Sequence, residues 1–197
     1  FTDEEFKNLQ VKKVKGETPY ARDLHMAGQL WAKGVWSRFP RARIRSIDSA
    51  TAKQSDGVVT VITHGDLPGK KTFGVIFSDQ PVLVEREIRS MADAVALVVA
   101  ETPEAAADGA NRLTVDYEPL QGVFDPVISL APDAPLVTPK GNIAHRLSCR
   151  KGDIQKGRER AKVVIKGQYE THMADPAFME PEACLSYMDT DETLVVA

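Results

Sequence analysis

Ala94-Val-Ala-Leu-Val-Val-Ala100-Glu-Thr102-Pro103-Glu104-Ala105-Ala-Ala-Asp-Gly-Ala110-Asn-Arg-Leu113-Thr-Val115-Asp-Tyr117 is the stretch on which the fold class turns. Ala94 to Ala100 is an unbroken apolar run, too short for an isolated helix and suited to a buried strand. Thr102-Pro103-Glu104 is a helix start. The Thr hydroxyl can accept an orphan amide, Pro fits the first helical position, and Glu complements the positive end of the dipole. Ala105 to Ala110 then carries roughly two to three helical turns, and Leu113 to Tyr117 returns as a strand. Strand, helix, strand makes a split α/β element, and a parallel pairing of its strands would require a right-handed crossover.

Toward the N-terminus, Arg41 to Ile47 alternates: Ala42 and Ile44 fall on one side, Arg41, Arg43 and Arg45 on the other. That is a half-buried strand with one solvated face. Gln29 to Ser37 predicts a strand with a turn at Lys33-Gly34, and Val58 to Ile62 a further strand. Ser49 is placed to cap one helical turn through Gln54. Gly65 to Gly69 reads as a loop, and residues 1–15 read as a charged lead-in.

Toward the C-terminus, Pro126, Pro132, Pro135 and Pro139 mark residues 127–150 as an extended linker on the surface of the preceding domain. Lys151-Gly152-Asp153 and Lys156-Gly157 bracket a turn. Strands are expected at Val163 to Gln168, Cys184 to Met188 and Thr193 to Ala197. A strand-rich segment of this size, without a helix, does not make an independent domain. The expectation is an α+β chain whose last 47 or so residues open a second, truncated domain, the whole being the front of a longer subunit.

The 197 residues carry 43% hydrophobic and 27% charged side chains and a net charge of −3, which excludes disorder and coiled coil for most of the chain. The apolar run at Ala94 falls far short of the ~20 residues of a membrane span. The acidic balance disfavours a dedicated nucleic-acid binder, even though Trp31 to Arg45 interleaves aromatic and basic residues. Of His25, His64, His145 and His172, only His145 has a His or Cys at ligand spacing, Cys149 four residues on, and one such pair does not make a metal motif. Cys149 and Cys184 form no framework, and Cys184, between apolar neighbours, is expected to be buried. The most site-like group is His172 with Asp175, Glu180 and Glu182. It reads either as a pocket wall or as polar residues at a turn. Pro181 holds Glu180 extended rather than helical.

The order of short motifs resembles the molybdenum hydroxylases, the xanthine dehydrogenase and aldehyde oxidase group. Gly16-Glu-Thr-Pro-Tyr20-Ala-Arg-Asp23 is similar to the opening of their molybdopterin-binding large subunit. Ser37-Arg-Phe-Pro40-Arg-Ala42-Arg-Ile44 leading to Ile47-Asp48 resembles its Ser-Pro-His-Pro-His-Ala-x-Ile segment. Gly57-Val58-Val-Thr-Val61 with Asp66, Ile88-Arg89 through Val95-Ala96, Glu101-Thr102 with Ala106, and Val115-Asp-Tyr117-Glu-Pro-Leu120 continue the series. On this resemblance residues 16–126 are an α/β-hammerhead domain. Residues 151–197, opening on Gly152-Asp153, are the start of a molybdenum-cofactor domain, and His172-Met-Ala-Asp-Pro176-Ala-Phe-Met179-Glu180-Pro181-Glu182-Ala183 carries its signature.

Departures are specific. Phe39 and Arg41 stand where the family has two histidines, Ala92 where it has Gly, and Pro176 where it has His. Ala174 occupies the position of a Gln that donates to the molybdenum oxo group in xanthine dehydrogenases, and an alanine side chain has no donor.

The resemblance implies hydroxylation of an N-heterocycle, purine-like, or of an aldehyde, with water as the oxygen source. It also implies molybdopterin held without protein metal ligands, 2Fe-2S clusters, and FAD on partner domains or subunits. Partners are then a small-molecule substrate and iron–sulfur and flavin modules, with no nucleic acid and no membrane. Homo-oligomers are compatible with this reading, and the expected location is cytoplasmic. Ala174, Asp175, Phe178 and Glu180 would border the cofactor pocket. The catalytic glutamate of the family has no counterpart here, so residues 1–197 alone are expected to be inactive. The alternative is a non-catalytic binding or scaffold module that keeps the hammerhead fold.

Overall fold

The computed structural model describes residues 3–75, 77–178 and 182–197. They divide into two compact units, Gly28–Ser148 and a second built from the chain up to Ala27 together with Cys149–Ala197. Among the described residues, helices α1 (Asp3–Lys15), α2 (Ala50–Lys53), α3 (Pro103–Arg112) and α4 (Ile154–Arg160) alternate irregularly with ten strands. These are β1 (Trp31–Trp36), β2 (Ala42–Asp48), β3 (Val58–Thr63), β4 (Thr72–Phe73), β5 (Gln80–Pro81), β6 (Glu87–Ile88), β7 (Ala94–Ala100), β8 (Thr114–Pro119), β9 (Ser186–Met188) and β10 (Leu194–Val196). The α+β class holds.

In Gly28–Ser148, β7 is the central strand of the sheet β1-β7-β3, and β2 the central strand of β6-β2-β8. All these pairings are antiparallel. The strand–helix–strand stretch is therefore not a parallel crossover, since β7 and β8 lie in different sheets. The burial pattern explains why. Val95, Ala96, Val98 and Ala100 are all buried, so β7 needs cover on both faces and strands on both sides. In β8 Val115 and Tyr117 are half-buried while Thr114, Asp116 and Pro119 are exposed, and this strand pairs with the one-sided β2.

Two buried clusters result. Ala42, Ile44, Val84, Ile88 and Val95 form one; Ala52, Val61, Ala96, Val98 and Leu113 form the other. Ile47 and Val115 pack against both and face each other in the β2–β8 register. That Ile44 and Ile47 both point inward, three residues apart, follows from the register shift between Ile44 and Ser46. A bulge at Arg45 flips the alternation.

Thr102 caps α3 as its sequence predicts, accepting from the Ala105 amide at 3.1 Å. At α2 the capping oxygen differs from expectation. Ser49 makes no side-chain cap bond, and Asp48 Oδ1 accepts from Ala50 N at 2.9 Å instead. Lys33-Gly34 is not a turn either. Both residues stay in register with Val98 and Leu97, and the bare Gly34 gives room to the Trp36 ring, which a Cβ would approach to 3.2 Å.

In the other unit the charged opening is helical. The cap of α1 combines Glu17 N donating to Lys12 O and Gly16 N donating to Lys13 O, with Gly16 at φ 71°. This is the left-handed glycine closure of a helix whose last turn carries Lys12, Lys13 and Lys15. Residues bracketed by Gly152 and Gly157 also form a helix, α4, because the Asp153 carboxylate caps it by accepting from Lys156 N at 3.1 Å. The C-terminal segment thus has a helix. β9 and β10 fall within the two stretches expected to be strands, and they pair as an antiparallel hairpin. The strand expected at Val163 to Gln168 is absent. Its apolar side chains are exposed, and no described strand lies alongside to complete a ladder.

Candidate functional site: the signature segment and the hammerhead groove

His172 to Phe178 has no regular structure and is exposed along its length. Asp175 Oδ1 accepts from the Ala177 amide at 2.7 Å, closing a local turn in which Ala177 takes φ 48°. Ala174 and Phe178 flank that turn, with Phe178 77% exposed. Glu180, with Met179 and Pro181, lies outside the described residues. Ala174, Asp175 and Phe178 thus share one short exposed loop. They line none of the concave regions described below. Their side chains stand open to solvent along this loop. Among the described residues no group of three or more His, Cys, Asp or Glu is placed to hold a metal ion. Cys184 is exposed, contrary to its apolar flanks.

Two concave surfaces lie within Gly28–Ser148. One groove of about 640 Å³ is lined by Phe77, Phe124, Lys140, Asn142 and Ile143 among others. A second, of about 320 Å³, is framed by Pro40, Arg41, Arg89, Ser90 and Phe124 among others.

Arg41 organises this region. Its Nη1 donates to Gln121 O at 2.9 Å and its Nη2 to Leu136 O at 2.7 Å, with Glu87 Oε1 at 3.3 Å. Its side chain is only 13% exposed, so Arg41 does not lie on the solvated face predicted for it. Arg43 and Arg45 do, sharing Glu118 Oε2 at 3.2 and 3.4 Å. Asn142 completes the hold on the proline-rich segment. Its Nδ2 donates to Ser129 O and Pro135 O, and its Oδ1 accepts from Val137 N.

The other substituted position is equally structural. The Phe39 ring meets Tyr117 edge-on, with centroids 5.3 Å apart at 60°. Buried Ser37 braces the turn, its Oγ donating to Phe39 O and accepting from Phe39 N. Burial raises the Tyr117 pKa above its ordinary value, against opposing effects of Arg38 and Ser37. Asp66 is held below its usual range, first by the Thr63 amide and then by the Thr63 hydroxyl, which outweigh an opposing burial effect, while Lys53 and Lys71 add lesser pulls. Ala92 does not adopt a positive φ, so the position does not demand glycine. The clasp of Arg41 and the role of Asn142 carry no sequence signal that separates them from neighbouring polar residues.

Residues 15–121 match the family model of the aldehyde oxidase and xanthine dehydrogenase a/b hammerhead domain. The chain belongs to the aldehyde oxidase and xanthine dehydrogenase family. Residues 137–197 match the family model of a molybdopterin cofactor-binding domain. The chain is 34% identical over 186 residues to the nicotinate dehydrogenase large molybdopterin subunit of Eubacterium barkeri, covering 94% of this chain and 44% of that one. Quinoline 2-oxidoreductase from Pseudomonas putida 86 superposes with a TM-score of 0.83 at 25% identity, over 95% of this chain and 25% of that chain. Aldehyde oxidoreductase from Desulfovibrio gigas gives 0.78 at 26% identity, over 94% and 22%. The chain therefore spans less than half the length of each of these family members.

Proposed function

We propose that this chain is the front part of a molybdopterin-dependent oxidoreductase that hydroxylates an N-heterocycle or an aldehyde with water as oxygen source. The observation that carries the reading is the order of two adjoining matches, hammerhead at 15–121 and molybdopterin-binding at 137–197. The names of the relatives, which span nicotinate, quinoline and aldehydes, support that substrate range. When bound, the cofactor would supply the two-electron redox centre, with 2Fe-2S clusters and FAD on partner domains or subunits as its electron acceptors. No helix among the described residues is long and apolar enough to cross a membrane, which is compatible with a cytoplasmic enzyme.

We assign residues 16–126 to the hammerhead, 127–150 to the connector and 151–197 to the start of the cofactor domain. In this reading the loop of Ala174, Asp175 and Phe178, with Glu180, borders the cofactor pocket once further walls enclose it. Asp175 fixes the loop through its turn. Ala174 offers no side-chain donor, so any polar contact at that position comes from backbone.

The test is metal analysis and substrate oxidation by the complete subunit with its partners, using purines, nicotinate and aldehydes. Stoichiometric molybdenum and turnover of one of these classes are expected. For residues 1–197 alone we expect neither. A complete, folded complex that holds no molybdenum and oxidises none of them would establish the non-catalytic scaffold reading, which the replacements at Ala174 and Pro176 favour.

A further inference from the structure

We propose that the cavity between Arg41 and Arg89 in the hammerhead is a binding site for a small carboxylate with a flat apolar body, such as an aromatic monocarboxylate. Its volume of about 320 Å³ lies at the lower end of the range for small-ligand sites. Pro40, Met91, Val123, Phe124 and Val137 supply apolar walls, and the polar groups among the lining side chains are Arg41, Arg89 and Ser90. No lining residue is acidic.

The charge in this cavity is incompletely met. Arg41 is held in place by two backbone carbonyls and Glu87, yet its buried Nε has no acceptor. That nitrogen is closed off by its surroundings, so the guanidinium left to meet an anion at the cavity is that of Arg89. Arg89 is exposed and makes no ion pair among the described residues. The two neighbouring carboxylates lie outside the lining and are engaged elsewhere. Glu87 meets Arg41, and Asp93 Oδ2 accepts from the backbone amides of Arg89 and Ser90 at 2.7 and 3.2 Å.

The floor is shaped by Gly122. A Cβ there would stand 2.6 Å from Phe124 Cζ, so the Phe124 ring lies across the bare backbone and offers a flat surface at the cavity. A guanidinium on a carboxylate and an aromatic face beneath an apolar ring are complementary to one ligand class. Inorganic anions would leave the apolar wall unused, and neutral aromatics would leave the Arg89 guanidinium unmet.

The full 197-residue chain is titrated with benzoate, benzamide and inorganic phosphate, followed by calorimetry and by amide chemical shifts. Benzoate is expected to bind at least about fivefold more tightly than either control, with shifts concentrated at residues 89–91 and 122–124. Arg89→Ala should weaken benzoate by about tenfold, as loss of a charged hydrogen bond implies, and Arg89→Lys should recover part of that. Met91→Trp, made at an exposed position on the wall, should block binding while the melting temperature stays unchanged. Equal affinity for benzoate and benzamide, equal affinity for phosphate, or indifference to Arg89→Ala in a folded protein would each overturn the proposal.

Discussion

Gly109 of α3 packs so closely on β7 that a Cβ at this position would stand 2.9 Å from Val98 Cγ1, and 2.8 Å from Val58 Cγ2 of β3. In an exposed helix, replacing Gly by Ala gains up to about 1 kcal/mol. Here the methyl enters a filled interface against the fully buried Val98, and such overpacking costs about 1–3 kcal/mol. Gly109→Ala is therefore expected to lower stability by about 1 kcal/mol, the opposite sign to helix propensity. Urea denaturation of the two proteins checks it, and an increase in midpoint would reject the close-contact account.

Arg41 ties β2 to the segment at Gln121 and to Leu136 through two backbone carbonyls. Arg41→Ala leaves both acceptors and Glu87 without this donor, at an expected cost of about 2–3 kcal/mol. Lysine carries the charge but lacks the planar fork, so Arg41→Lys should restore less than half. Thermal melts give the stability. Limited proteolysis gives the location, with cleavage expected to rise between residues 122 and 148. Unchanged proteolysis there would show that Asn142 alone secures the segment.

Asp66 accepts from Thr63 N at 2.8 Å and from Thr63 Oγ1 at 2.7 Å, and its pKa is lowered in the folded state. A depressed carboxyl contributes stability above its unfolded pKa of about 4 and loses it as pH falls through the lower folded value. Melting temperatures of wild type and Asp66→Asn should differ at pH 6 and converge below about pH 4. A gap that stays constant down to pH 2.5 would exclude the linkage.

Tyr117 has the opposite linkage. Burial raises its pKa, so the neutral form is favoured on folding and stability declines as pH rises above the unfolded value of about 10. Tyr117→Phe keeps the edge contact with Phe39 and removes the ionisable group. Alkaline denaturation of this variant should begin at higher pH than in wild type, as read from circular dichroism between pH 9 and 12.

The local chemistry was legible where a residue's neighbours in sequence decide its state. Thr102-Pro103-Glu104 starts a helix, and Ala42 and Ile44 face inward, because these outcomes depend on residues within a few positions. Which strands pair did not follow from Ala94 to Tyr117, since β7 and β8 each choose partners more than 30 residues away in β1, β2 and β3. A one-residue bulge at Arg45 then altered which side chains point inward. Arg41 shows the same limit at the level of a site. Its alternation with Arg43 and Arg45 places it on a solvated face, and only the return of the chain at Gln121 and Leu136 makes it a buried clasp. The motif order pointed to the family because it depends on sequence alone. The walls of a cofactor pocket depend on segments far apart in sequence, and the loop at Ala174 to Phe178 stands open.

The facing pair Ile47 and Val115 has a thermodynamic consequence. Because both half-buried side chains pack against both buried clusters, neither cluster can loosen without exposing apolar surface of the other. Residues 28–148 should then melt as one cooperative foldon, with calorimetric and van't Hoff enthalpies that agree, even though they contain two separate principal sheets. Truncating Ile47 to Ala would weaken that coupling as well as the total stability, broadening the transition rather than only shifting it.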